Sequence, residues 1–418
     1  MDRIIINGQK PLNGKINVSG AKNAALAILP AAIASNGVCL IDNLPKIEDV
    51  SNLRKAMESL GAVCSLKDAH TLEVDARNIS SYKLDVSYAN NTRASYYFMG
   101  ALLGRFKEAA VALPGGCDIG QRPIDFHLRG FEALGAKVKL EHGVVMLAAD
   151  KLVGTNIYLD CPSVGATINI MIAAVFAEGR TIIDNCAKEP HVVDTANFLN
   201  KLGAKITGAG TATIRINGVK GLGGGEYTVI PDPIETGTYM IAAAITCGDL
   251  TVEKIVPKHM ESVSSKLREI GCVVKEGLDW IRVEGKEALR PCELRTAFYP
   301  GFPTDLQPQM ATLLCTARGT SMIIENIFEH RFRYANELKR LGGQLRVSGR
   351  TAVTNGYCSF TGATVTATDL RAGAALVIAG LSAKGQTVIN GIRHMDRGYE
   401  SFEEKFCSLG ADIKRIKR

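Results

Sequence analysis

Cys117 stands in LPGGCDIGQRPIDFH, Leu113 to His127, among three glycines and two prolines. Free cysteine usually behaves as a small buried hydrophobe. Here Gly115, Gly116 and Asp118 make burial awkward and predict a loop. Two readings stand side by side. One is a structural loop that happens to hold a cysteine. The other is a reactive thiol, with Arg122 folded back to favour its thiolate. A thiol can donate a proton, and a thiolate can attack an electrophilic carbon. His127 lies ten residues on, out of reach by helical spacing, so a Cys–His hydrolase is the lesser alternative.

A second set of polar residues recurs just ahead of Ala-rich apolar stretches. Lys22 and Asn23 lie in VSGAKNAALA, Arg93 in NNTRASYYFMG and Asp305 in GFPTDLQPQM. Asp369 and Arg371 lie in TATDLRAGAAL, and Arg397 lies in HMDRGYE. Helix N-terminal amides attract anions, and a lysine beside them adds a point charge. A lone charge at a helix head is ordinarily a cap or a solvated side chain. Recurrence at the same place in successive segments favours a cleft that takes an anionic small molecule. Asp369 reads as a cap that orients Arg371, and the plain alternative for Arg397 is a surface salt bridge.

The elements that must position these residues form a repeat. A short amphipathic helix ending in glycine is followed by a strand in LRKAMESLGAVCSL, LRGFEALGAKVKL, ANFLNKLGAKITG, SSKLREIGCVVKE, ANELKRLGGQLRV and FEEKFCSLGADIKRI. The six glycines, Gly61, Gly135, Gly203, Gly271, Gly342 and Gly410, are spaced about 70 residues apart and suit left-handed helix ends. Upstream of most copies runs a helix apolar nearly all round, such as NIMIAAVFAEG or GAALVIAGLSAKG, which should be buried. A strand follows it, as in RTIIDN, SMIIENI and QTVINGI. The predicted unit is helix, strand, helix, strand, strand. Six units divide as three plus three, with apolar helices inside and sheets outside. A solenoid is the alternative, but its repeats usually run to only about 20–45 residues. TVIPDPIE, near residues 228 to 235, reads as the connection between two domains, and GLGGGE before it as a flexible turn.

Composition narrows the function classes. The chain has 418 residues, 46% hydrophobic, enough for two domains with sizeable cores. The net charge of +7 is scattered apart from a KRIKR tail, and no nucleic-acid motif accompanies it, so an anionic small substrate is expected. Eleven cysteines, an odd number without a CxxC pair, predict no disulfide framework. Cys39, Cys64, Cys247, Cys272 and Cys315 lie in apolar runs and read as core residues in a reducing compartment. No signal peptide, no apolar run of eighteen residues, no HExxH and no zinc-ribbon spacing are present. The expectation is a cytoplasmic protein with no metal, no membrane and no obligatory protein partner.

SGAKNAAL, NTRAS, LPGGCDIGQRPIDFH, PSVGATINIM, GFPTDLQPQ and ATDLRAGAAL together resemble the UDP-N-acetylglucosamine enolpyruvyl transferases of bacterial peptidoglycan synthesis. The resemblance spans essentially the whole chain. It implies an α/β fold of two inside-out barrel-like domains, residues 20–229 and residues 230–418, the latter completed by residues 1–19. It implies transfer of the enolpyruvyl group of phosphoenolpyruvate to the 3'-hydroxyl of UDP-N-acetylglucosamine, without a cofactor, and hence a part in cell shape and division. Lys22, Arg122 and Arg397 would surround the phosphoenolpyruvate charges. Cys117 would donate a proton and be the target of the epoxide fosfomycin, and Asp305 would receive the hydroxyl proton. Asn23, Arg93, Arg122, Pro123, Ile124, Asp125, Phe126, Ser163, Val164, Gly165, Asp305, Ile327 and Arg371 would line the substrate site, with His127 supporting that surface. The alternatives are a 5-enolpyruvylshikimate-3-phosphate synthase, a family without the PGGC loop, and a non-catalytic relative that binds nucleotide sugar.

Overall fold

The six repeat glycines end six helices in one way. The computed structural model describes residues 2–89, 93–113, 119 and 124–417. In it Gly61, Gly135, Gly203, Gly271, Gly342 and Gly410 have φ from 93° to 109°. Each glycine N–H reaches back to a helix carbonyl, as Gly61 does to Glu58. The next N–H reaches one residue further, as Ala62 does to Met57. The other five copies repeat the pattern. This crossed pair satisfies carbonyls that the helix leaves open, and its left-handed residue would strain a side chain bearing a Cβ. The turn then aims the chain into the strand that follows.

Each repeat builds one four-stranded sheet, six among the described residues. The unit carries a strand that the sequence pattern did not show. An edge strand precedes the buried helix and pairs parallel to the strand after it, as Asn156–Tyr158 pairs with Arg180–Asp184. These edge strands are too short for alternation to register, Lys83–Leu84 being the shortest. The amphipathic helix then leads into an antiparallel hairpin, such as Lys137–Glu141 with Val144–Ala148.

The first residues of the chain complete two sheets elsewhere. Arg3–Asn7 lies antiparallel between Gln386–Asn390 and Asp412–Ile416. Asn13–Asn17 pairs parallel to Asp249–Glu253. In the same manner Gly225–Thr228 returns to pair parallel with Val38–Asp42. GLGGGE is therefore not a free turn. A Cβ on Gly224 would lie 2.2 Å from the Val38 carbonyl oxygen, so glycine there lets the edge strand dock.

The chain divides into two compact units. An N-terminal unit holds the described residues within 20–113 and 124–230. A C-terminal unit holds Met1–Ser19 and Pro231–Arg418, and Ile119 groups with it. The helices Lys22–Ala32, Tyr97–Phe106 and Val164–Ala174 form the buried centre of the first. Pro233–Ile245, Gln307–Leu314 and Leu370–Ser382 form that of the second. Both are α/β, with helices inside and sheets outside. No helix among the described residues is long and apolar enough to cross a membrane. The ten described cysteines are free. Cys247 departs from the core reading and is exposed, because it sits at φ 52° in the turn after the Pro233–Ile245 helix. Cys64 is only half-buried, packed against the core from the edge strand Val63–Leu66.

Candidate active site

In the C-terminal unit, two buried arginines fix one carboxylate. Asp305 lies in the single turn Thr304–Leu306 that leads into the Gln307–Leu314 helix. Its Oδ1 accepts from Arg331 Nη2 at 3.0 Å, and its Oδ2 accepts from Arg371 Nη2 at 3.0 Å and Nε at 3.3 Å. The side chains of Arg331 and Arg371 are 2% and 4% exposed, that of Asp305 26%. The carboxylate is thus gripped by two buried guanidinium groups while about a quarter of its side chain stays exposed. Arg331 also donates from Nε to the Thr304 carbonyl, so it fixes the turn as well as the charge.

Arg371 opens the Leu370–Ser382 helix, and Asp369 caps it as the sequence predicts. Asp369 Oδ1 accepts from the backbone of Arg371 and Ala372 at 2.9 and 3.0 Å. The Arg371 guanidinium stacks 5.3 Å from the Tyr399 ring centre. Burial disfavours its charge, but Tyr399, Asp305 and Asp232 more than restore it, so its pKa is raised. Its buried Nη1 has no hydrogen-bond partner among the described residues. A buried guanidinium donor left unused is costly unless an anion completes it. Arg397 follows the short Arg393–Asp396 helix and is half-buried rather than on the open surface. Ile327 is positioned through its backbone. Its N–H donates to the buried Glu325 carboxylate at 2.8 Å, and Glu325 also takes the Thr304 hydroxyl at 3.1 Å, next to Asp305.

In the N-terminal unit, Lys22 opens its central helix with no side chain capping that end. Its ammonium is nearly buried and lies 2.9 Å from Asp49, itself buried in the first turn of Glu48–Ser59. Asn23 follows it, half-buried. Arg93 is half-buried in the turn Arg93–Tyr96 ahead of Tyr97–Phe106. Ser163 caps the third helix, its Oγ accepting from the Ala166 N–H at 3.3 Å, and Val164 and Gly165 form its first turn. Ile124, Asp125 and Phe126 are half-buried at the start of the Asp125–Ala133 helix, and a buried Asp125 Oδ1 lacks a partner among the described residues.

His127 belongs to the interior of this unit. Burial pushes its imidazole down to about 3, so it is neutral. Asn169 Nδ2 lies 3.0 Å from its Nδ1, and the Tyr96 ring meets it edge-on with centres 5.0 Å apart. A Cβ on Gly165 would come within 3.0 Å of the imidazole. The ring therefore shapes the ground beneath Gly165, and a Cys–His hydrolase finds no free base here. Cys117, Arg122 and Pro123 lie outside the described residues.

Sequence reasoning missed Asp49, Asn169, Glu325 and Arg331. One signal was available. An acid–asparagine pair stands at the end of the central strand in the first, third and fifth repeats, Asp42–Asn43, Asp184–Asn185 and Glu325–Asn326, and could have pointed to Glu325. The three asparagines each donate to the carbonyl that ends an edge strand or follows it: Val229, Leu159 and Thr296. Among the described residues no group of three His, Cys, Asp or Glu side chains could hold a metal ion.

Residues 6–406 match the family model of EPSP synthase (3-phosphoshikimate 1-carboxyvinyltransferase). The chain is 54% identical over 417 residues to the UDP-N-acetylglucosamine 1-carboxyvinyltransferase of Clostridium botulinum, covering all of both chains. It is likewise 54% identical to UDP-N-acetylglucosamine 1-carboxyvinyltransferase 2 of Clostridium acetobutylicum, again over both full lengths. Among solved structures it is similar to the enolpyruvyl transferase NikO from Streptomyces tendae, with TM-score 0.90 and 27% identity over 100% of this chain and 99% of that one. EPSP synthase from Acinetobacter baumannii, at 18% identity and TM-score 0.76 over both full chains, shares the fold.

Proposed function

We propose, for a chain that belongs to the UDP-N-acetylglucosamine 1-carboxyvinyltransferase family of enolpyruvyl transferases, that it carries out that family's reaction. Phosphoenolpyruvate gives its enolpyruvyl group to the 3'-hydroxyl of UDP-N-acetylglucosamine, and inorganic phosphate leaves. The observation that carries the reading to this chain's residues is the Asp305–Arg371 pair: a quarter-exposed carboxylate beside a buried guanidinium whose Nη1 has no hydrogen-bond partner among the described residues. Full-length identity of 54% to enzymes named for that acceptor favours it over shikimate 3-phosphate.

The chemistry needs an acid and a base on one substrate pair. Cys117 gives its thiol proton to the methylene carbon of phosphoenolpyruvate, and C2 becomes electrophilic. The sugar hydroxyl, hydrogen-bonded to Asp305, attacks C2 and passes its proton to that carboxylate as the C–O bond forms. A methyl proton then returns to the Cys117 thiolate, the double bond re-forms and the C–O bond to phosphate breaks, so that inorganic phosphate leaves. Lys22, Arg122 and Arg397 hold the donor's phosphate and carboxylate, arginine by its planar fork and lysine as a point charge. Asn23 orients the sugar. Arg93, Arg122 to Phe126, Ser163 to Gly165, Ile327 and Arg371 complete the substrate site. Preorganised charges stabilise the charge that develops. The reading calls for no cofactor and sets the enzyme in cytoplasmic cell-wall synthesis.

Purified protein should release phosphate only when phosphoenolpyruvate and UDP-N-acetylglucosamine are both present. A coupled phosphate assay decides the point. No release with this pair, together with release on shikimate 3-phosphate, would overturn the assignment.

A further inference from the structure

The chain passes from the C-terminal to the N-terminal unit at Ser19–Gly20, three residues before Lys22, and returns at Ile230–Pro231. Every polar group of Ser19 is engaged. Its N–H donates to Glu235 Oε2 at 2.8 Å, and its carbonyl accepts from the Asp232 N–H at 2.9 Å. Its hydroxyl accepts from Lys405 Nζ at 2.8 Å and donates to Glu400 Oε2 at 2.7 Å. Glu235, in the first turn of Pro233–Ile245, pairs with Lys405 of Phe402–Ser408 at 2.5 Å, with side chains 4% and 16% exposed. Glu400 lies three residues beyond Arg397.

Nothing in the stability of this unit asks for such an arrangement. Desolvating an ammonium and a carboxylate costs about what their attraction returns, and apolar side chains of like volume often serve as well. What a buried pair with fixed hydrogen bonds supplies is one conformation of what it holds. Here it holds the last residue before the chain crosses to the N-terminal unit, with both the backbone and the hydroxyl of Ser19 locked. The same serine is tied through Glu400 to the segment that carries Arg397, and through the chain itself to Lys22.

We infer that Glu235, Lys405 and Glu400 are positioning residues which, through Ser19, set the placement of the two donor-binding segments carrying Lys22 and Arg397. The inference rests on the enolpyruvyl-transfer reading for the roles of those two residues. It assigns the network to phosphoenolpyruvate rather than to the nucleotide sugar, because both tethered segments carry donor-binding cations.

The test uses the full-length protein and two variants. Ser19→Ala removes the hydroxyl contacts and leaves the charge pair. Glu235→Gln with Lys405→Met removes both charges together, so no buried ion is left alone. Three readouts are taken: melting temperature, calorimetric Kd for UDP-N-acetylglucosamine, and kcat/KM with phosphoenolpyruvate varied. Hydrogen exchange of the peptide spanning residues 16–26 is followed without substrates. Expected are a kcat/KM for phosphoenolpyruvate at least tenfold lower, a sugar Kd within twofold of the parent, and faster exchange in the peptide. Unchanged donor kinetics in a folded variant, or equal losses for donor and sugar, would overturn the inference. Should the parent protein fail to release phosphate, the reaction assignment falls, and exchange of the peptide still decides whether the network positions it.

Discussion

Replacing Arg331 with methionine should slow turnover while the fold survives. Arg331 is among the largest fully buried side chains, and its guanidinium meets Asp305 Oδ1 at 3.0 Å and the Thr304 carbonyl at 3.2 Å. A hydrogen bond to a charged group contributes about 1.5–3 kcal/mol. Asp305 is about a quarter exposed, so solvent screening brings the loss to about 1–2 kcal/mol. If that energy aligns the carboxylate with the sugar hydroxyl, kcat should fall roughly 5- to 30-fold. The fold should tolerate the change for two reasons. Asp305 keeps Arg371, so no carboxylate is orphaned, and methionine fills most of the vacated volume. Arg331→Lys keeps the charge but lacks the fork that reaches both acceptors, so it should fall between parent and methionine variant. Steady-state phosphate release, with melting temperature and sugar affinity measured in parallel, is the assay. A methionine variant with parental melting temperature and kcat within twofold would refute the reasoning, leaving Arg371 alone to hold Asp305.

Three further outcomes are expected. Burial pushes the Asp194 carboxyl up to about 6, while Tyr227 and the Ile230 N–H bond to it. A carboxyl whose pKa rises on folding stabilises the fold at low pH, and that contribution is lost as pH climbs through about 6. Between pH 4.5 and 7 the parent should therefore lose about 2 kcal/mol relative to Asp194→Asn, measured by urea unfolding at each pH, and parallel curves would contradict this. Asp49→Asn leaves the nearly buried Lys22 ammonium without its carboxylate at 2.9 Å. It should raise the KM for phosphoenolpyruvate about tenfold and cost about 1–3 kcal/mol of stability, and an unchanged KM would remove Asp49 from any part in placing Lys22. Cys117→Ser should fold yet lose most activity and escape fosfomycin, whereas Cys117→Asp should keep turnover and resist the epoxide. Mass mapping of the parent should find the adduct on Cys117, and modification confined to another cysteine would contradict the role.

The repeat was legible because its causes are local. A helix that must end in a crossed pair of hydrogen bonds needs a left-handed residue, and glycine takes that conformation without a Cβ clash. Six such glycines could therefore be seen along the chain. Apolar faces all round betrayed the buried helices for the same kind of reason, and Asp369 announced its cap by position alone. The sequence also set the candidate side chains at helix heads, with Lys22, Asp305 and Arg371 all found there. Edge strands as short as Lys83–Leu84 carry no period to read. Partnerships across long stretches of chain left no local trace either. Arg331 reads as one more charge in EHRFRY until the fold buries it against Asp305, 26 residues away. Asp49 reads as a helix-start acid until the first repeat closes over Lys22. Helix ends, turns and apolar faces depend on a residue and its near neighbours, so the sequence by itself determines them. Which charge meets which, and at what depth, depends on burial and distance that only the tertiary structure decides.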